Sequence, residues 1–131
     1  MIDNGDNCAI IAAGEMVERG RRVIAALRAK GINAALINAR FIKPLNAEAY
    51  LQLFSEYPHI VTLEANTLSG GFGSAVLELA AAAPVVPKVL RLGLPDQFIP
   101  HGNVEILIKE LGLDVESVTN KVTEFLGSKG V

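Results

Sequence analysis

Four short runs of small and branched apolar residues, Cys8 to Ala12, Ala34 to Ile37, His59 to Leu63 and Val86 to Leu92, are separated by segments long enough to hold helices. An antiparallel neighbour needs only a tight turn, whereas a parallel one needs a crossover of about a dozen residues or more, usually a helix. Strands covered on both faces read as continuous apolar runs, and these do. The spacing therefore predicts an α/β domain of three layers, αβα, around a mostly parallel sheet of four to five strands.

The intervening segments have the period of helices. After Gly14, apolar residues recur at Met16, Val17, Gly20, Val23, Ile24 and Leu27, and Gly31 ends the helix. Asn46 is an N-cap with Leu45 placed to staple on Tyr50, and Pro58 stops this second helix. A third helix runs from Ser74 to Ala83, before Pro84. Asn103 caps a fourth that ends at Gly112, and Asp114 opens a last one with Val115, Val118, Val122 and Phe125 on one side. Pro87 confines its strand to a start or an edge. Residues 8–126 make the domain, 1–7 a linker or an added N-terminus, and 127–131 a frayed tail.

Composition removes several classes of function. The 12 basic and 14 acidic residues leave a formal charge of -2 with no block of one sign, so neither nucleic acid nor an anionic membrane surface is an expected partner. The longest apolar run, Ala75 to Pro87, is broken by Glu78 and Pro84 and falls short of the roughly 20 residues of a membrane span. Cys8 is the only cysteine, which excludes an internal disulfide and a cysteine-based metal cluster and fits a cytoplasmic protein. No metal site is expected. Cys8 lies in a buried strand with no adjacent base and reads as core, and His59, just before an apolar strand, as structural.

Ligands and partners of parallel sheets gather where the strands end. That edge would carry Glu15, Arg40, Lys43, the loop of Gly70, Gly71 and Gly73, and the stretch from Leu94 to Gly102 with Asp96 and His101 between two prolines. Glu64, Asp96 and His101 are weak catalytic candidates, as acid, base and orienting group, because each stands at or beyond a strand end. The plainer role for such a carboxylate is to cap a loop or pair with Arg40. The glycines are placed to bring backbone amides to a phosphate, yet Val76 stands where a dinucleotide fingerprint needs a third glycine or alanine, and no Walker lysine follows. A tight turn for close packing is the plainer reading.

The alanine-rich helix from Ser74 to Ala83 is apolar nearly all round, with Glu78 its only charge. Val76, Leu79, Ala80 and Ala83 can face the sheet, while Leu77, Ala81 and Ala82 leave the other side weakly polar. Such a helix expects cover on both sides, from another element of the same domain, such as the final helix, or from another domain or subunit, with Ala81 at the seam.

The segments AIIAAG at Ala9 to Gly14, NARFIKPL at Asn38 to Leu45, a strand ending in Glu64, GGFGSAVLE at Gly70 to Glu78 and RLGLPDQFIPHG at Arg91 to Gly102 occur in that order over nearly the full chain. Together they resemble the C-terminal domain of 1-deoxy-D-xylulose-5-phosphate synthases, thiamine-diphosphate enzymes of the transketolase group. The resemblance implies a transferase that joins pyruvate to glyceraldehyde 3-phosphate with loss of carbon dioxide, for isoprenoid, thiamine and pyridoxal synthesis. It also implies that thiamine diphosphate and magnesium sit between two upstream domains, since their Gly-Asp-Gly motif is missing here. This chain would then bind no cofactor and catalyse nothing alone, serving to pack against the upstream domains and a second subunit of a homodimer. Arg40, Glu64, Gly70, Gly71, Gly73, Ala81, Asp96 and His101 are its interface or loop-edge candidates. Asn38 stands where the family commonly has Asp, which removes an ion pair from Arg40 and leaves it Glu64, another domain or an anion. The alternatives are the matching domain of a 2-oxoacid dehydrogenase β subunit and a stand-alone α/β phosphate-binding module.

Overall fold

The computed structural model describes residues 8–14, 16–39, 47–67, 72–84, 86–94 and 112–127. Four strands, β1 (Cys8–Ala12), β2 (Ala34–Asn38), β3 (His59–Thr67) and β4 (Lys88–Leu94), form one sheet in the order β2-β1-β3-β4. All three pairings are parallel, with Ile10 opposite Leu36 on one side and Val61 on the other. Helices α1 (Met16–Ala29), α2 (Ala47–Glu56) and α3 (Phe72–Ala81) follow the first three strands, and α4 (Val115–Gly127) closes the described chain.

The period of two along the strands divides the core between the two faces. Cys8, Ile10, Ala12, Leu36, Val61 and Leu63 pack under α1 and α4, against Val23, Leu27, Val118 and Val122. Ala9, Ile11, Ala35, Ile37 and Ile60 pack under α2 and α3, against Tyr50, Phe54, Val76 and Ala80. The expected three-layer α/β architecture is the one observed.

Local signals in the sequence act as read. The Gly31 N–H donates to the Arg28 carbonyl and the Ile32 N–H to the Leu27 carbonyl, both at 2.9 Å, which satisfies the carbonyls that the end of α1 leaves without helical partners. Asp114 Oδ2 accepts the Ser117 N–H at 3.3 Å and caps α4. Gly20 has a reason that periodicity does not reveal: a β-carbon there would lie 2.9 Å from Leu36 Cδ1 and 3.6 Å from Ala12 Cβ, so its absence lets α1 settle on the sheet.

Several boundaries differ from expectation. β3 continues past Leu63 to Thr67 through a register irregularity against β4. β4 begins at Lys88, whose N–H donates to the Pro58 carbonyl at 2.8 Å, because Pro87 has no N–H to enter the ladder. α3 covers Phe72–Ala81, and the N–H groups of Ala82 and Ala83 turn back to the Leu79 and Ala80 carbonyls in a tighter final turn. The final helix does not cover the alanine-rich one, since α4 packs with α1 on the opposite face of the sheet. Leu45, Asn46, the segment capped by Asn103, and residues 1–7 and 128–131 lie outside the described residues.

Candidate functional site at the C-terminal edge of the sheet

From β1 the chain moves to β2 on one side, and from β3 to β4 on the other, so the connections diverge above the junction of β1 and β3. A crevice at such a point is where parallel α/β sheets bind ligands or partners. At this junction the Ala13 N–H donates to the Leu63 carbonyl at 3.0 Å. Gly14, at φ 57, then turns the chain into α1, with the Met16 and Val17 N–H groups donating to the Ala13 and Gly14 carbonyls. A side chain at that φ would be strained.

Glu64 stands inside β3, not at its end as expected, because the strand runs on to Thr67, and it is completely buried. Val61 and Leu63 belong to the core under α1 and α4, so alternation turns Thr62 to the face of α2 and α3, and the ladder irregularity against β4 begins between Leu63 and Thr67, where Glu64 stands. A buried carboxylate needs compensation, and Glu64 is engaged in a polar interaction. The Thr62 hydroxyl is fully buried with no hydrogen bond among the described residues. Register sets Arg91 of β4 opposite Thr62, and because Val89 packs in the core under α2 and α3, Arg91 shares that face. Arg91 is a cation that the sequence reading did not single out; the alternation of β4, Val89 against Leu90 and Leu92, was the signal that could have found it.

The other candidates fall in different places. Gly73 is not in a loop: it stands in the first turn of α3, where amides lack intrahelical partners and glycine costs little. Ala81 is the last residue of α3, at the end remote from the β3 terminus, and it is exposed, so Glu64 and Ala81 do not share a site. Arg40, Gly70, Gly71, Asp96 and His101 lie outside the described residues, as do Glu15 and Lys43.

His59 opens β3 at the opposite edge, buried, with its ring edge-on to Phe125 at 5.2 Å between centroids. An open groove between α1 and α4, lined by Ala26, Lys30, Val115, Glu116, Thr119 and Asn120, belongs to the other face from Glu64. Among the described residues no three His, Cys, Asp or Glu side chains gather into a metal-holding group. Among them, too, no helix is long and apolar enough to cross a membrane.

Burial pushes the Cys8 thiol up to about 12 and the Tyr50 phenol up to about 12. Cys8 is thus a poor nucleophile near neutrality. Both groups hold their protons to higher pH folded than unfolded. Their contribution is whole below the ordinary thiol value of 9.0 and is lost as pH rises from there toward 12. The Cys8 share lost at pH 10 is about 1 kcal/mol. Urea midpoints at pH 8 and pH 10 are expected to fall further apart in the native chain than in Cys8→Ala. Equal pH dependence in the two proteins would contradict the buried-thiol assignment.

Residues 1–118 match the family model described as transketolase, C-terminal domain. The chain belongs to the transketolase C-terminal domain family. The domain is 43% identical over 131 residues to 1-deoxy-D-xylulose-5-phosphate synthase 1 of Geobacter sulfurreducens, covering 99% of this chain and 21% of the relative. It is 42% identical over 120 residues to the synthase of Caldanaerobacter subterraneus subsp. tengcongensis, covering 92% of this chain and 19% of that protein. The fold matches a split-gene transketolase, solved as an inactive β4 tetramer, with a TM-score of 0.84 at 27% identity, over 95% of this chain and 41% of that one. The domain spans about a fifth of the length of the curated relatives it matches. A 2-oxoacid dehydrogenase β-subunit domain or a stand-alone phosphate binder is not better supported.

Proposed function

We propose that this domain is the C-terminal part of a thiamine-diphosphate-dependent 1-deoxy-D-xylulose-5-phosphate synthase, a transferase that joins pyruvate to glyceraldehyde 3-phosphate with loss of carbon dioxide. The observation that carries the proposal is identity of 43% sustained over 131 residues to such a synthase. When bound, the cofactor supplies the carbanion equivalent that such a condensation needs. Two observations support placing that group elsewhere: no Gly-Asp-Gly string occurs, Gly5-Asp6-Asn7 being the nearest, and among the described residues the buried carboxylate near the switch point, Glu64, is completely shielded from solvent. The cofactor and magnesium therefore belong to the preceding part of the enzyme, in the cytoplasm, and this domain contributes packing surfaces to it and to a second subunit. Glu64 holds the later part of β3 in shape for those contacts, and Asp96, His101, Arg40 and the glycines Gly70, Gly71 and Gly73 serve as edge contacts.

Calorimetric titration tests this division of labour. The chain alone is expected to give no saturable heat with thiamine diphosphate and magnesium, and a polypeptide carrying it after the catalytic domains to bind the cofactor. Micromolar, magnesium-dependent binding to the chain alone would overturn the proposal.

A further inference from the structure

We infer that the outer face of α3 is a seam on which the preceding region of the same polypeptide docks through a mainly apolar surface. The inference rests on the reading of this chain as the C-terminal part of a longer synthase. Every other described helix shows water a charged face: arginines and a glutamate on α1, glutamates on α2, glutamates and a lysine on α4. Among the described side chains, the outer face of α3 and of the turn that ends it carries Leu77, Glu78, Ala81 and Ala82, with one charge among them. Leu77 and Ala81 are four apart and adjacent on that face. Among the described residues the exposed large hydrophobic side chains are Leu77, 40% exposed and within this helix, and Val86, 62% exposed and five residues past its last residue in sequence. The exposed Pro84 lies between them in sequence.

Size selects the occupant. A helix of 10 residues is about 15 Å long and about 10 Å across, a projected strip of about 150 Å². Separate molecules that associate stably bury about 800 Å² each, several times that strip. A covalently joined neighbour is present at an effective concentration near millimolar, so a strip of this size is enough to dock it. The relatives extend about four-fifths of their length beyond the region matched, which supplies such a neighbour. The methyl groups of Ala81 and Ala82 permit close approach of another backbone, and that is the use of small residues on an exposed helix face.

Thiol labelling reads the seam. Cys8 is completely buried and does not compete, so Ala81→Cys introduces a single accessible thiol. With a maleimide reagent, labelling is expected to be fast in the chain alone, independent of protein concentration, and at least tenfold slower in the full-length polypeptide. Leu77→Cys repeats the measurement if the first variant folds poorly. Equal rates in the two contexts would overturn the seam. Protection in the chain alone that grows with protein concentration would give the face to a second copy and also overturn it, as would a gene with no preceding region. Deoxyxylulose phosphate synthesis by the full-length polypeptide is assayed in parallel. A protected thiol without synthesis refutes the enzymatic reading and keeps the seam; synthesis with an exposed thiol refutes the seam alone.

Discussion

Gly20→Val is expected to lower the stability of the domain by about 2 kcal/mol or more, within the range for overpacking a close contact. A β-carbon at this position already meets Leu36 Cδ1 at 2.9 Å, and Leu36 is completely buried, so it has little room to withdraw. Valine adds two methyl groups beyond that carbon. Gly20→Ala separates the opposing effects: it gains about 1 kcal/mol of helix propensity and loses a similar amount to the contact, leaving the urea midpoint nearly unchanged. Pairing Gly20→Val with Leu36→Val, which shortens the facing side chain, should recover a good part of the loss. The coupling is then at least about 1 kcal/mol by double-mutant cycle. Additive single-mutant losses would mean that α1 does not approach β2 as closely as described.

Glu64→Ala is expected to cost about 3 kcal/mol, since removing one member of a buried polar interaction leaves the other member uncompensated. Glu64 is completely buried and engaged, at the junction on which the loops of the C-terminal edge converge. Glu64→Gln keeps the volume and one acceptor oxygen, and should cost about half as much. Urea denaturation of the two variants decides the matter. A loss below about 0.5 kcal/mol for Glu64→Ala, the usual range for surface changes, would show that the carboxylate is not buried in a compensated site.

The sheet was legible because its causes are local and periodic. Helical spacing between Gly14 and Gly31 forced a crossover, and the continuous apolar run Cys8–Ala12 announced a strand covered on both faces. Gly31 and Asp114 acted as expected because caps depend on a few neighbouring atoms. The extension of β3 beyond Leu63 was not legible, since polar Thr67 joins the ladder, opposite Leu94, only after an irregularity that β4 accommodates. Nor was the side taken by α4, because an amphipathic helix near the C-terminus can cover either face. At the site, the sequence reads as a strand ending in Glu64, whereas the place of Glu64 inside β3 and its complete burial depend on pairing between β3 and β4 that the sequence does not show. Alanine content and helical spacing pointed to α3 as a helix whose Leu77 side needs cover, and the exposure of Leu77 shows that no described element supplies it.

The most direct measurement is the formation of 1-deoxy-D-xylulose 5-phosphate by a hybrid enzyme in which this chain replaces the matching C-terminal fifth of the Geobacter sulfurreducens synthase, to which it is 43% identical over 131 residues. The assay supplies pyruvate, glyceraldehyde 3-phosphate, thiamine diphosphate and magnesium, beside the same synthase truncated before that region. The account predicts product from the hybrid at a rate within about tenfold of the parent, a loss of at most about 1.4 kcal/mol in barrier height, and none from the truncated protein. A folded hybrid that binds thiamine diphosphate yet forms no product would contradict it.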